Sequence, residues 1–186
     1  AVKMAFEGSR KSSRPVGEGT LQGTRNFLQG SNPSRWATNV PAYERIRFPE
    51  LYPGIDLVAR NQDGHLEYDL VAQPGAAIEK VQVRCEGAEG LSIDPSGVLV
   101  METALGPVTQ KAPVTWNELP NGEKVRVNCS FKSKGPQRFG FHAPSRRRDL
   151  RLVIDPGLEW ATYLGSADGT VVQSIETTDS GDVIVA

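Results

Sequence analysis

Short runs that alternate apolar and polar residues, each closed by Gly, Pro, Asn or Asp, recur along this chain of 186 residues. Strict alternation predicts a strand with one buried face, whereas a surface helix repeats its apolar positions every three to four residues. The stretch 38–71 shows the pattern most clearly, because IDLVA (55–59) and LEYDL (66–70) flank the turn NQDG (61–64). A glycine in such a turn favours a hairpin. No segment has a convincing helical period.

This pattern predicts an all-β fold, an antiparallel sandwich or distorted barrel of about a dozen short strands. Two segments before residue 38 depart from it. Residues 8–23 are rich in Gly, Ser, Arg and Lys without alternation, which predicts a long polar loop. Trp36 follows the turn SNPSR (31–35), and we expect it to anchor that loop in the core.

The alternation changes after Gly157, and this predicts a boundary between an N-terminal β-sandwich domain (1–156) and a small second unit (157–186). The second unit consists of a strand, a Gly-rich turn and two strands joined at 178–181. It is too short for a four-stranded propeller blade. Its strands would have unpaired edges, so we expect them to pair with the sandwich or with another copy, or to be poorly ordered.

Composition narrows the classes of partner. The net charge of −1 provides no field that would draw the chain to nucleic acid. No apolar run approaches the roughly 20 residues that span a bilayer, so we expect no membrane span in this segment.

The two cysteines, Cys85 and Cys129, each fall on the apolar positions of an alternating run. Two interpretations stay open, a pair of buried free thiols and a structural disulfide between the two strands. The disulfide requires Cα atoms within about 7 Å of each other, a distance that the sequence does not provide.

Carboxylates supply the strongest candidates for catalysis. Glu67 and Asp69 share one strand face, about 7 Å apart, and such pairs perform acid–base chemistry in glycosidases. The competing interpretation is a solvated face, or ion pairs with Arg45 and Arg47 of a neighbouring strand. Asp56 follows a Pro-Gly turn, and we expect it to accept hydrogen bonds from turn amides.

Other candidates carry weaker signals. His65 and His142 lack companions for a zinc site, and the basic run at 145–151 (SRRRDLR) is interpreted as a solvated loop rather than an anion site. Two larger groups of residues remain as candidate sites. Three tryptophans could form a sugar-stacking platform, although core packing explains them as well, and three aspartates could bind calcium, although turn propensity explains them as well. They are Trp36, Trp116 and Trp160 for the platform, and Asp168, Asp179 and Asp182 for calcium. The sequence therefore predicts no catalytic residue, cofactor or metal.

Several separated motifs resemble one bacterial family. They are NVP (39–41), YPGIDLV (52–58), LEYD (66–69), PGA (74–76), EGA (86–88) and QKAP (110–113). Together they resemble the domain of unknown function that precedes SBBP-type β-propeller repeats in large bacterial surface proteins. The tail from Trp160 to Gly165 is similar to the start of a first propeller repeat. Ser166 to Asp168 departs from that pattern, which leaves a metal role for the turn unsupported.

The resemblance implies context rather than chemistry. It implies an extracellular or cell-surface location in a bacterium, a partial first propeller blade after residue 156, and no transferable catalytic residues. The predicted function is a non-catalytic structural or adhesive module, whose partners are the downstream propeller and an unknown protein or polysaccharide. The alternatives are a carbohydrate-binding module and, less favoured, a glycoside hydrolase.

Overall fold

The computed structural model describes residues 2–28, 30–62, 65–159, 175–177 and 183–185. Strands dominate these residues, with two short 3-10 turns at Pro33–Arg35 and Ile78–Lys80. The strands in chain order are β1 (Lys3–Phe6), β2 (Val16–Phe27), β3 (Ala37–Tyr52), β4 (Ile55–Gln62), β5 (His65–Ala72), β6 (Val83–Glu86), β7 (Gly90–Ile93), β8 (Leu99–Glu102), β9 (Val108–Gln110), β10 (Val114–Glu118), β11 (Lys124–Arg126), β12 (Ser130–Gly135), β13 (Arg138–His142), β14 (Arg151–Asp155), β15 (Leu158–Glu159), β16 (Ile175–Thr177) and β17 (Val183–Val185). The prediction of an all-β fold is confirmed.

The larger sheet has seven strands in the order β11-β10-β14-β5-β4-β3-β2. Every pair of adjacent strands in this sheet is antiparallel. The predicted hairpin is its centre, since β4 and β5 pair from Ile55↔Ala72 to Gln62↔His65. The tip of that hairpin, residues 63–64, lies outside the described residues.

A second sheet has the order β1-β6-β13-β12, and a third has the order β15-β9-β8-β7. Both are antiparallel throughout. The second sheet is rich in phenylalanine, and Phe131, Phe139 and Phe141 stack with ring centroids 5.4 to 5.8 Å apart. Two of the three pairs are edge-to-face and the Phe131–Phe141 pair is tilted at 46°, and aromatic pairs of this kind add to the stability gained from area burial.

All three sheets contribute to one hydrophobic cluster. The ring of Phe6, from the second sheet, meets Tyr68 of the larger sheet edge-on at 5.9 Å between centroids. The third sheet adds Leu99 and Met101, both fully buried. Tyr68 also accepts a hydrogen bond from Gln110 Nε2 at 3.0 Å, a fully buried polar link between the larger and third sheets.

The predicted loop at 8–23 is wrong from Val16 onward, because β2 begins there and pairs with β3. The strand has no alternation because it is the exposed edge of the sheet and buries neither face. Two of its glycines have positive φ, +66° at Gly19 and +87° at Gly23, and its register against β3 shifts between Thr20 and Thr24. These irregularities break the pattern from which a strand would be predicted.

Trp36 does not anchor this segment in the core. Trp36 is 38% exposed to solvent. Its indole Nε1 donates to the Gly30 carbonyl at 3.0 Å, which ties it to the local turn. Indole is amphipathic and is stable at a surface when its N–H is satisfied.

The structure corrects the disulfide alternative, because Cys85 and Cys129 are both free. Cys85 N donates to Gln137 O beside β13, whereas Ser130, next to Cys129, pairs with His142 at the other end of β13. The two cysteines are therefore separated by six positions along β13, about 20 Å at 3.3 Å per residue. A disulfide tolerates about 7 Å between Cα atoms.

The described parts of the predicted second unit form strands. β15 pairs with β9 of the third sheet, and β16 pairs with β17 as an antiparallel ribbon. β15 therefore belongs to the third sheet, and the propeller blade after residue 156 stays a prediction. The candidate calcium residues Asp168, Asp179 and Asp182, and also Trp160, lie outside the described residues.

Candidate functional site

The outer face of the larger sheet is concave and carries a groove of about 510 Å³. Because side chains alternate along a strand, every second residue of β4, β5 and β14 points into the core, and the residues between them point into the groove. The lining residues are Glu18, Arg45, Arg47, Asp56, Val58, Asp69, Val71, Gln73, Trp116, Glu118, Lys124, Arg151 and Val153.

Strand register arranges this lining in rows across the sheet. One row crosses four strands through successive paired residues, which are Asp56, Val71, Val153 and Trp116. A parallel row joins Arg47, Val58 and Asp69. The groove thus has a small apolar floor of valines and tryptophan between charged walls.

Six of the eight charged residues that line the groove are paired with one another. Glu18 contacts Arg47 at 2.7 Å and Arg45 at 4.0 Å. On the opposite side, Arg151 contacts Glu118 at 2.9 Å. These pairs fix long side chains along the walls, although exposed ion pairs add only about 0–1 kcal/mol each to stability.

Asp56 acts as a structural acceptor, as the sequence predicted. Its Oδ1 accepts the backbone N–H of Glu50 at 2.7 Å, and its Oδ2 lies 3.4 Å from Arg47. Glu50 has a φ of +52°, which few non-glycine residues adopt. The carboxylate therefore holds an irregular turn of β3 in place.

Glu67 and Asp69 share the outer face, as predicted, but their partner is Arg60 rather than Arg45 or Arg47. Arg60 is directly opposite Glu67 and contacts it at 2.9 Å, contacts Asp69, and reaches Asp155 at 3.3 Å. Burial raises the pKa of Asp69, and the bond from Arg60 opposes that rise. One guanidinium thus pairs with three carboxylates beside the groove.

Trp116 provides the aromatic surface in the groove. The Lys124 ammonium lies over its ring, 4.4 Å from the centroid. Trp116 Nε1 and Asp69 Oδ1 in the lining are buried without a hydrogen bond partner among the described residues. The alternative of a tryptophan platform does not bring Trp36 and Trp116 together, because Trp36 lies before β3 and three strands separate β3 from β10.

The basic run at 145–151 forms the predicted solvated loop before β14, and Arg146 is the one arginine of the run that is buried at its side chain. The Arg146 side chain is 5% exposed, pairs with Glu79 at 2.9 Å and donates to the Ala76 carbonyl at 3.0 Å. Arg147 pairs with Asp149, and Arg148 lies 3.4 Å from Glu79. The run fastens the loop before β14 to the segment after β5.

The described residues contain no group of three or more His, Cys, Asp or Glu side chains that could hold a metal ion. His142 is exposed at the end of β13. Within the same described ranges, no helix is long and apolar enough to cross a membrane.

Sequence reasoning missed the groove itself. It noted Arg45, Arg47, Glu67 and Asp69 as outward-facing residues, but it did not bring β2, β10 and β11 to the same face. The available signal was the charged alternation of residues 43–48 (YERIRF), which indicates a strand with a polar outer face.

The fold and the groove define an all-β, antiparallel domain with a charged concave face. A family model described as a domain of unknown function (DUF7948) matches residues 1–157, and the chain belongs to that family. This match confirms the predicted membership of a family of unknown function, and the link to SBBP repeats stays a prediction. Neither the curated proteins nor the solved structures gave a match.

Proposed function

We propose that the chain is a non-catalytic interaction module of a bacterial cell-surface or secreted protein, a β-sandwich followed by the first part of a β-propeller. The groove is its contact surface. The single observation that supports this most is the combination of a concave sheet face with a wall of mutually paired charges.

The arrangement of carboxylates favours binding over hydrolysis. A glycosidase needs one carboxyl group free to donate a proton and a second free to attack or to activate water. Glu67 and Asp69 instead share the guanidinium of Arg60 with Asp155. Because one cation occupies both carboxylates, neither is free to attack a substrate or to activate water.

The sheet architecture also suits an adhesive role. Side chains in the middle of a paired sheet are held by the strands on both sides, so a surface built on them is rigid before it binds. Preorganisation of this kind lowers the entropy that a ligand must overcome.

The test uses the full chain and intact cells of the organism that encodes it. Val58→Lys places a long charged side chain on the floor of the groove, and Val114→Lys makes the same change on the same sheet face outside the lining. We expect wild type and Val114→Lys to bind the cell exterior, and Val58→Lys to bind at least about tenfold more weakly, with all three folded by circular dichroism.

Two results would overturn the proposal. If Val58→Lys binds like wild type, the groove is not the contact surface. If antibodies against the native protein label lysed cells but not intact ones, the extracellular placement is wrong.

A further inference from the structure

We propose that the groove binds a neutral polysaccharide laid across the strands, with Trp116 as the stacking surface. This proposal rests on the proposed function and names its ligand class. It follows from the charge balance, the length and the aromatic floor of the groove.

The charge balance of the lining points to a neutral ligand. The lining carries four cationic residues and four anionic ones, which are Arg45, Arg47, Lys124 and Arg151 against Glu18, Asp56, Asp69 and Glu118. An anionic or cationic polymer would have to compete with existing ion pairs such as Arg151–Glu118 at 2.9 Å. Hydroxyl groups donate to carboxylates and accept from guanidinium groups, so a sugar uses both walls without breaking those pairs.

The length of the groove points to a polymer rather than a small molecule. Its lining extends from Glu18 on β2 to Lys124 on β11, the two outermost strands of the larger sheet. Six strand intervals of about 4.8 Å give a span of roughly 29 Å. A chain of sugar rings crossing the strands would contact all of the rows.

Trp116 offers the flat surface that a sugar ring requires. In the free protein the Lys124 ammonium occupies one face of the indole at 4.4 Å. A sugar that stacks there displaces this flexible, exposed side chain, whose ammonium can then bond to a hydroxyl. When the Lys124 side chain moves away, the unpartnered Trp116 Nε1 could donate a hydrogen bond to a ligand hydroxyl, and Asp69 Oδ1 could accept one.

A peptide ligand fits this surface less well. Peptide strands gain affinity by pairing their backbone with a free sheet edge, whereas β4, β5 and β14 under the groove are paired on both sides. Only side chains are available on the face. A nucleic acid would need an excess of positive charge that the lining lacks.

The test follows Trp116 as the only tryptophan of the full chain. The sequence holds three tryptophans, so Trp36→Phe with Trp160→Phe leaves Trp116 as the sole reporter. This protein is titrated with dextran, mannan and the neutral exopolysaccharide of the encoding organism, and separately with alginate and chondroitin sulfate. We expect a saturable change in Trp116 emission with a neutral polymer and none with the anionic polymers.

Matched variants test the role of the ring. In the otherwise wild-type chain, Trp116→Ala should weaken neutral-polymer binding at least about tenfold in affinity electrophoresis. Trp36→Ala removes an exposed tryptophan outside the groove and should leave binding unchanged. Saturable binding to alginate alone, equal binding by Trp116→Ala, or no binding to any neutral polymer would each overturn the proposal.

Treatment of the cell surface separates this proposal from the proposed function. Periodate cleaves vicinal diols of sugars, and proteinase K removes surface protein. We expect binding of the wild-type chain to intact cells to be lost after periodate and kept after proteinase K. The opposite result, with Val58→Lys still defective, would overturn the polysaccharide and keep the interaction module with a protein ligand.

Discussion

Arg60 on β4 pairs with three carboxylates from two other strands, Glu67 and Asp69 on β5 and Asp155 on β14. Alternation correctly placed Glu67 and Asp69 on the outer face. It could not identify their partner, because Arg60 lies on β4, directly opposite on the hairpin, while Arg45 and Arg47 lie one strand further. The pairing register of β4 against β5 determines which cation lies nearest to these carboxylates. That register depends on the exact length of the hairpin turn, which the sequence alone did not fix.

At the residue scale, Glu7 is the most testable ion pair outside the groove. It accepts from Arg138 at 2.9 and 3.1 Å and from Gln82 at 2.5 Å, and it contacts Arg84. The bond from Arg138 lowers the pKa of Glu7 below 4.5. This contribution to stability is present above the unfolded pKa and is lost as the pH falls through the folded pKa.

We therefore expect Glu7→Gln to lower the free energy of unfolding by about 1–2 kcal/mol at pH 7. The difference from wild type should shrink as the pH falls below about 4.5. Urea unfolding at pH 7 and pH 3 measures it. Glu89→Gln changes an exposed glutamate and serves as the control, and an equal loss at both pH values would contradict the ion-pair account.

The buried bond between Tyr68 and Gln110 predicts a coupled effect. Tyr68→Phe leaves the Gln110 amide without an acceptor in the core, which should cost about 1–3 kcal/mol of stability. The double variant Tyr68→Phe, Gln110→Met removes both polar groups and should recover most of that loss. Tyr43→Phe alters an exposed tyrosine as the control. Additive losses in thermal unfolding would refute the coupling.

At the scale of elements, β4 and β5 were predictable and β2 was not. The central hairpin buries one face, and burial produces the alternation that was read from the sequence. The edge strand β2 is exposed along nearly its whole length, so its polar, glycine-rich composition resembles a loop. β2 is a strand only because it pairs with β3, and this pairing between separate segments leaves no local pattern in the sequence.

Gly17 provides the test of that pairing. A Cβ at Gly17 would lie 2.4 Å from the Tyr43 ring, whereas a Cβ at Gly90 would meet nothing within 4 Å. Gly17→Ala should therefore cost about 1 kcal/mol, and Gly90→Ala should be tolerated. Adding Tyr43→Ala to Gly17→Ala should restore stability. A Gly17→Ala variant as stable as Gly90→Ala would show that β2 does not lie against Tyr43.

Across the whole molecule, both cysteines are free, Cys85 buried and Cys129 half-buried. Burial raises the pKa of Cys85 to about 12, and it also raises the pKa of Cys129. We expect both thiols to react slowly with Ellman's reagent in the native protein, Cys85 more slowly than Cys129, and fully in guanidinium. The melting temperature should not depend on reductant. A native mass 2 Da below the reduced mass would show a disulfide instead.

The groove could not have been predicted because it is made by the order of strands in a sheet. Trp116 and Arg47 are 69 positions apart in the sequence. They share a face because β14 inserts between β10 and β5. Turn residues and alternation indicate strands and hairpins, but long-range pairing of this kind leaves no local pattern. The family match likewise names a domain without naming a ligand.

Amide chemical shifts test most directly whether the outer face of the larger sheet contacts the ligand. The ¹⁵N-labelled full chain is titrated with the neutral exopolysaccharide of the encoding organism. We expect the shifts to concentrate on that face, at Arg47, Val58 and the Trp116 indole. Shifts confined to the second sheet or to the exposed end of β2, with the groove silent, would contradict it.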